Sequence, residues 1–161
     1  MERRVFDLPG FLELLRQSVA GTALEKRLLL SVARAPSIPS TVAGDERHLE
    51  EVLRILLDNA VKYTVRGSVA LRVQRADEPA ATEGALRLTF VVEDSGPGIP
   101  AAERARVLGR FYRGPESAQS TQGSGLGLAI VKSIVEKLNG TIEVKSKPGL
   151  GTCFTIKFPL K

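Results

Sequence analysis

The sequence predicts an α+β fold, a two-layer α/β sandwich in which helices cover one face of a mixed, mostly antiparallel sheet. Two patterns support this prediction. Apolar residues recur at helical spacing in several segments, and segments rich in β-branched and aromatic residues, bounded by Gly, Pro and Asn, are typical of strands. The strands outnumber the helical crossovers, so most strands must pair as hairpins. With 161 residues the chain can bury a core, and we predict a single domain over 1–161.

Each element has its own signal. Asp45 is predicted to cap a central amphipathic helix, and a polar loop over 76–84 joins the two strands of a hairpin. A second hairpin closes the chain around Pro148-Gly149. The helices are predicted over 8–22, 49–63 and 128–138. The strands are predicted over 3–7, 27–33, 41–43, 67–75, 86–93, 141–146 and 152–159.

Charge and composition limit the partners. The net charge is +5, but the basic residues are scattered and aromatic residues make up 5% of the chain, so we predict no nucleic-acid partner. A basic surface suits a polyanionic nucleotide or an acidic partner instead. No apolar run approaches the roughly 18 residues of a membrane span, so we predict a cytoplasmic domain without membrane contact, whatever anchors its parent protein.

The basic residues change type along the chain. Residues 1–120 hold 15 arginines and 2 lysines, whereas residues 121–161 hold 6 lysines and no arginine. Either chance or a splice near residue 120 produces such a change. The single cysteine, Cys153, lies in an alternating strand pattern and is predicted to be a buried strand residue.

The first candidate site segment is residues 59–64 (NAVKYT), at the end of the central helix. Asn59 and Lys62 are three residues apart, so their carboxamide and ammonium groups lie on one side of the helix. Mg²⁺ prefers oxygen ligands and keeps most of its waters, and a lysine ammonium tracks phosphate oxygens. The pair therefore fits a magnesium phosphate, although the same residues could be only the solvated edge of the helix.

The second segment, residues 94–99 (DSGPGI), follows a strand. The Asp94 carboxylate can accept a hydrogen bond from an exocyclic amine. Glycines at 96 and 98 allow backbone to approach a flat ring without a Cβ between them. Adenine fits this description. A plain β-turn with Asp94 at its first corner is the alternative.

The third segment, residues 123–128 (GSGLGL), opens a helix that closes at Asn139-Gly140. Free backbone N–H groups at a helix start can hold phosphates. The polar stretch 114–122, rather than a strand, precedes the glycines, which excludes a dinucleotide fingerprint. A Walker loop is excluded because no Gly-Lys-Ser/Thr occurs.

In this order, the motifs resemble those of the catalytic, ATP-binding domain of sensor histidine kinases, in the GHKL superfamily with the Bergerat fold. Residues 59–64 match the second half of the N box, 94–99 the G1 box, 110–113 (RFYR) the F box and 123–131 (GSGLGLAIV) the G2 box. The ending 149–154 (GLGTCF) is similar to the closing hairpin of these domains. The resemblance spans roughly the whole chain.

The resemblance implies an ATP and Mg²⁺ site. Asn59 would ligate the metal, Lys62 would contact phosphate and Tyr63 would form a wall against the nucleotide. Asp94 would accept from the adenine amine, and the segment 114–124 would be a flexible ATP lid. The catalytic residues implied are Asn59, Lys62 and Arg113. The other cofactor-binding residues implied are Gly96, Gly98, Ile99, Arg110, Gly123, Ser124, Gly125, Leu126 and Gly127.

The resemblance also implies a reaction and partners. The domain would transfer the γ-phosphate to a histidine on the separate helical dimerisation domain of the same kinase, with a response regulator downstream. The only histidine, His48, lacks the sequence context of such an acceptor, and we predict a solvent-exposed residue in the first helical turn. In isolation the domain is expected to be a monomer.

One departure bears on the alternative functions. Family members usually carry Asn four residues before the magnesium-binding Asn, and hydrolytic relatives such as gyrase carry a catalytic Glu there. This chain has Ile55. A branched alkyl group neither activates water nor holds a metal, which argues against a GHKL-type ATPase. A degenerate nucleotide-binding regulatory module is the other alternative.

Overall fold

A computed structural model describes residues 3–75, 86–96, 127–147 and 151–160. Three helices and seven strands lie in these ranges. They are β1 (Arg4–Asp7), α1 (Leu8–Glu25), β2 (Leu29–Arg34), β3 (Thr41–Gly44), α2 (Glu46–Tyr63), β4 (Ser68–Arg75), β5 (Leu86–Asp94), α3 (Gly127–Lys137), β6 (Thr141–Lys147) and β7 (Gly151–Leu160). The polar loop predicted over 76–84 and the lid predicted over 114–124 lie outside the described residues.

Five strands form one sheet in the order β2-β4-β5-β7-β6, and β1 pairs with β3 in a separate two-stranded sheet. Within the larger sheet only β2 and β4 are parallel; β4–β5, β5–β7 and β6–β7 are antiparallel. The predicted α+β class, with a mixed and mostly antiparallel sheet, is therefore confirmed. The two predicted hairpins, β4–β5 and β6–β7, are also present.

The helices cover one face of the large sheet. Alternate residues of β4 and β7 are buried, whereas β5, between them in the sheet, is buried continuously over residues 88–92. Phe90 and Phe158 meet with their ring centroids 6.1 Å apart. The central helix α2 contributes a continuous buried stripe, as its spacing predicted. That stripe consists of Leu49, Val52, Leu53, Leu56, Leu57, Ala60 and Val61. Since this burial fixes the rotation of α2, it also decides which polar residues of the helix border the core.

Asp45 caps α2, as predicted: its side chain accepts a hydrogen bond from the backbone N–H of His48. His48 is not solvent-exposed, which corrects the prediction for this residue. It is half-buried, and its Nδ1 lies 2.7 Å from Asp45 Oδ2. The cap draws the imidazole inward because both contacts of His48 are made with the same buried carboxylate.

Two details differ from the sequence prediction. Helix α1 continues to Glu25, and strand β2 begins only at Leu29, because Arg27 adopts a left-handed conformation with φ 57° between them. Cys153 lies on β7 as predicted but is only half-buried, because Thr152 and Phe154 take the helix-covered face. None of the described helices is both long enough and apolar enough to cross a membrane.

Candidate functional site

The last turn of α2 carries the first group of predicted site residues. Asn59 and Tyr63 are half-buried, and Lys62 is exposed. The Lys62 ammonium lies 5.2 Å from the centre of the Tyr63 ring, within the range of a cation–π interaction. Lys62 therefore stands at the rim of the buried stripe, with its charge free to meet an anionic ligand.

Asp94 is the last residue of β5, and the following turn is tied to the neighbouring strand. The backbone N–H of Ser95 donates to the Ser68 carbonyl oxygen at 3.1 Å, and Ser95 Oγ accepts from the Ser68 N–H at 2.9 Å. The Gly96 N–H donates to Asp94 Oδ1 at 2.8 Å. The turn is thus held at the edge of the sheet with the carboxylate in a defined position.

Gly96 joins this turn to the end of α2. A Cβ atom on Gly96 would lie 2.9 Å from Asp94 Oδ1, 3.2 Å from Thr64 Oγ1 and 3.4 Å from the Tyr63 carbonyl oxygen. The nearest of these atoms belongs to the Asp94 carboxylate, so a Cβ would displace that group, whereas glycine lets the turn lie against the end of α2 without this collision. Asp94 and the NAVKYT segment, 30 or more residues apart in sequence, therefore meet at one place.

The environment of Asp94 opposes its charge. Burial raises the pKa of the Asp94 carboxyl above its ordinary value of 3.8, although the N–H groups of Gly96 and Thr152 donate to the carboxylate and act in the opposite direction. A buried carboxylate gains from each further hydrogen-bond donor that it receives. This position therefore favours a ligand that brings a donor, such as an amine.

Thr64 places a second polar atom beside Asp94. Its side chain is fully buried, and within the described part of the chain Oγ1 has no hydrogen-bond partner. A buried hydroxyl without a partner costs about 1–3 kcal/mol, so such groups commonly mark a position that a ligand or water completes. Apart from its place in the NAVKYT motif, no sequence pattern indicated a role for Thr64.

The start of α3 rests on α2 next to Asn59. A Cβ atom on Gly127 would lie 4.0 Å from Asn59 Nδ2 and 3.2 Å from Ile55 Cγ2. The backbone N–H groups in the first turn of a helix have no intrahelical acceptor. The structure thus brings a helix N-terminus, which favours anions, to the side of the Asn59 carboxamide.

Six predicted site residues are described, and they lie on the C-terminal half of α2, beside it, or, for Asp94, next to the glycine turn at its end: Asn59, Lys62, Tyr63, Asp94, Gly96 and Gly127. The others lie outside the described residues, and their roles stay predictions: Gly98, Ile99, Arg110, Arg113, Gly123, Ser124, Gly125 and Leu126.

Lys26 supports the site and was not predicted from the sequence. Its ammonium donates to the carbonyl oxygens of Val61 and Lys62, at 2.6 Å and 2.8 Å, and burial lowers its pKa. These two carbonyls belong to the last turn of α2, where no intrahelical donor reaches them. The ammonium therefore anchors the turn that carries Lys62 and Tyr63. A single lysine at the end of another helix has no sequence pattern that would reveal this contact.

The arrangement suits a hydrated metal better than a protein-enclosed one. No group of three His, Cys, Asp or Glu side chains that could hold a metal occurs among the described residues. Asn59 could supply one oxygen ligand, and Mg²⁺ commonly binds through one or two protein ligands together with phosphate oxygens and waters. The donor set thus fits Mg²⁺ that arrives with a nucleotide.

Comparison with known proteins finds the same family that the sequence motifs resemble. The family described as "Histidine kinase-, DNA gyrase B-, and HSP90-like ATPase" matches residues 44–161. The sensor histidine kinase RcsC of Escherichia coli (strain K12) is 38% identical over 138 residues, which are 85% of this chain and 14% of that protein. The sensory/regulatory protein RpfC of Xanthomonas campestris pv. campestris is 35% identical over 161 residues, which are 99% of this chain and 22% of that protein.

A solved structure agrees with these relatives. Full-length ShkA, crystallised in complex with AMPPNP, matches with a TM-score of 0.84 and 29% identity, over 99% of this chain and 31% of that one. The alignment with RpfC runs through residue 120, where the basic residues change from arginine to lysine. This chain spans less than a quarter of the length of both curated relatives.

Proposed function

Because this chain belongs to the family of histidine kinase-, DNA gyrase B- and HSP90-like ATPases, we propose that it binds ATP with Mg²⁺ and transfers the γ-phosphoryl group to a histidine on a separate helical dimerisation domain. One observation carries the proposal. Two distant motifs meet the C-terminal half of α2, which carries Asn59: Gly127 lies beside Asn59, and Gly96, whose N–H binds the Asp94 carboxylate, lies at the end of the helix. The Asp94 carboxylate would then bind the adenine amine, the Asn59 carboxamide would bind the metal, and the N-terminus of α3 would bind the phosphates.

The base would bind at Asp94. The carboxylate accepts from the exocyclic amine of adenine, and the close approach of Gly96 to α2 leaves a flat ring unobstructed by a side chain at that position. The buried Thr64 hydroxyl lies beside the carboxylate and can supply a donor for an adenine ring nitrogen, directly or through a water. Tyr63 lies next to it on the last turn of α2 and offers a wall for the nucleotide.

The phosphates would bind at Asn59, Lys62 and the start of α3. The Asn59 carboxamide oxygen would hold Mg²⁺, which neutralises phosphate charge when it is bound. Lys62 supplies a mobile positive charge, and the first N–H groups of α3 donate to phosphate oxygens. We further propose that Gly98, Ile99, Arg110, Gly123, Ser124, Gly125 and Leu126 complete the nucleotide site.

In the transfer, the bond between the γ-phosphorus and the β–γ bridging oxygen breaks and a phosphorus–nitrogen bond forms on the acceptor imidazole. ADP leaves with the bridging oxygen. The protein's share is to position the triphosphate and to stabilise charge that develops on the transferred group, and Arg113 is proposed for the second task. His48 is not the proposed acceptor, because its sequence lacks the context of a phosphoacceptor histidine.

RcsC is a sensor histidine kinase and RpfC a sensory/regulatory protein, and both are much longer than this chain. We therefore propose that the acceptor domain belongs to the same kinase, that a response regulator follows, and that the domain works in the cytoplasm, where ATP is available. A GHKL-type ATPase is disfavoured, because Ile55 next to Asn59 has no group that could activate water. A degenerate regulatory module would not need the Asn59 carboxamide beside Gly127.

Replacing Asn59 by Ala is expected to remove the magnesium-dependent part of ATP affinity. With Mg²⁺ present, binding should weaken about tenfold, the scale of one lost charge-assisted contact. In EDTA, variant and wild type should bind ATP equally. Calorimetry with and without Mg²⁺ measures both values. Glu50→Ala is the matched control, since Glu50 lies on the same helix but pairs with Arg54 rather than with a proposed site residue. Equal magnesium dependence in Asn59→Ala and wild type would contradict the assignment.

A further inference from the structure

We propose that Ile55 and Gly127 form a matched steric pair that sets the position of the α3 N-terminus relative to Asn59. Ile55 is on this account a positioning residue for the phosphates of the nucleotide. The inference rests on the proposed function, since it concerns how that site is held in register. It also explains why an alkyl side chain at position 55 is compatible with an intact site.

The contact itself is tight. A Cβ atom on Gly127 would lie 3.2 Å from Ile55 Cγ2, whereas carbon atoms in ordinary contact are about 3.5–4.0 Å apart. The glycine therefore removes the one atom that would collide with the isoleucine. The same Cβ would lie 4.0 Å from Asn59 Nδ2. Any movement that relieved a collision at Ile55 would accordingly change the distance between the start of α3 and the Asn59 carboxamide.

Ile55 cannot yield by rotating. In a helix, isoleucine strongly prefers one χ1 rotamer, so its Cγ2 methyl points in a fixed direction. The side chain is also half-buried and packs against the hydrophobic core. The core in turn fixes α2 through its buried stripe. The flexible partner in the contact is thus the first turn of α3, and the methyl acts as a stop for it.

A small displacement of this turn would matter for phosphates more than for the base. The free N–H groups of a helix lie in its first turn, which Gly127 begins. Hydrogen bonds weaken steeply as distance and angle depart from their optimum. Gly96, whose N–H binds the Asp94 carboxylate, lies instead beside Tyr63 and Thr64 at the C-terminal end of α2. A shift of α3 should therefore weaken ATP binding and leave adenosine binding unchanged.

The test adds a methyl group on the Gly127 side of the contact and removes one on the Ile55 side. Gly127→Ala adds the colliding carbon, and Ile55→Leu removes the branch methyl Cγ2 while keeping the number of carbons. Ile55→Val is the matched control, since it shortens the side chain but keeps Cγ2. The affinities of each protein for ATP and for adenosine are measured by calorimetry with Mg²⁺. The ratio of the two affinities does not depend on the fraction of folded protein.

We expect Gly127→Ala to lower the ratio of ATP to adenosine affinity about three- to tenfold, as misplacement by a few tenths of an ångström suggests. The double variant Ile55→Leu/Gly127→Ala should recover the wild-type ratio to within about twofold. The double variant Ile55→Val/Gly127→Ala should not recover it. Since both double variants carry Gly127→Ala, recovery with Leu but not with Val at position 55 excludes a loss that comes from helix formation alone.

An unchanged ratio in Gly127→Ala would overturn the inference, as would equal recovery with Leu and Val at position 55. Both results presuppose a wild-type chain that binds ATP. If wild type binds neither ATP nor adenosine, the proposed function fails instead. The two failures are thereby distinguished by the wild-type measurement alone.

Discussion

Asp94→Asn is expected to lower ATP affinity by about tenfold to a hundredfold. The carboxylate is the proposed acceptor for the adenine amine, and an amide in its place can present a donor to a donor. Loss of a charge-assisted hydrogen bond costs about 1.5–3 kcal/mol, which corresponds to that range of affinity. Calorimetric titration with ATP and with adenosine measures the effect, and both ligands should weaken equally because they share the base.

The same substitution should not destabilise the fold near neutral pH. Because burial raises the pKa of the Asp94 carboxyl, the folded chain binds this proton more tightly than the unfolded chain. Above the pKa that Asp94 has in the folded state, its ionised carboxylate therefore lowers the free energy of unfolding. This effect decreases as the pH is lowered through that pKa. An amide avoids the cost and keeps one acceptor oxygen for a backbone N–H.

Glu93→Gln is the matched control for Asp94→Asn. Glu93 is the adjacent carboxylate, is exposed and pairs with Arg72 at 2.8 Å on the other side of the strand. We expect it to leave ATP and adenosine affinity unchanged. Equal ATP affinity in Asp94→Asn and wild type, with both folded, would show that adenine binds elsewhere.

Gly151→Ala should lower the free energy of unfolding by at least about 1–3 kcal/mol. Gly151 has φ +124°, a backbone conformation that side chains disfavour, and a Cβ there would lie 2.0 Å from the Asp94 carbonyl oxygen. Either the β7 start or the end of β5 must move, and the second movement would also displace the Asp94 carboxylate. Urea unfolding measures the stability.

Gly21→Ala is the control for Gly151→Ala. Gly21 lies in α1, and a Cβ there would meet nothing within 4 Å. Alanine is favoured over glycine within a helix, so this variant should be unchanged or stabilised by up to about 1 kcal/mol. Equal stability of the two alanine variants would mean that the approach of Gly151 to Asp94 is not as close as described.

The fold was predictable from local patterns. The buried stripe of α2 and the alternating burial in β4 and β7 follow the spacing of apolar residues in the sequence, and Asp45 caps α2 as its position suggested. Asn59, Asp94 and Gly127 could be selected as site candidates because each lies in a motif of distinctive composition. The role of each of these residues is indicated by the residues adjacent to it in the sequence.

The errors and omissions concern contacts that local patterns do not encode. His48 is drawn inward by the Asp45 cap, and Arg27 adopts a left-handed conformation that delays β2. Lys26 reaches carbonyl oxygens 35 and 36 residues away, and Thr64 becomes buried only when Gly96 packs over it. Each depends on the packing of distant segments, which periodicity and propensity leave open.

The proposed phosphotransfer is tested by following labelled γ-phosphate from Mg-ATP to a separately purified dimerisation domain of the parent kinase. We expect acid-labile label on the acceptor histidine, no label when that histidine is replaced by Gln, and no stable label on this chain alone. Unlabelled acceptor alongside continuing ATP hydrolysis, or robust labelling of His48, would contradict it.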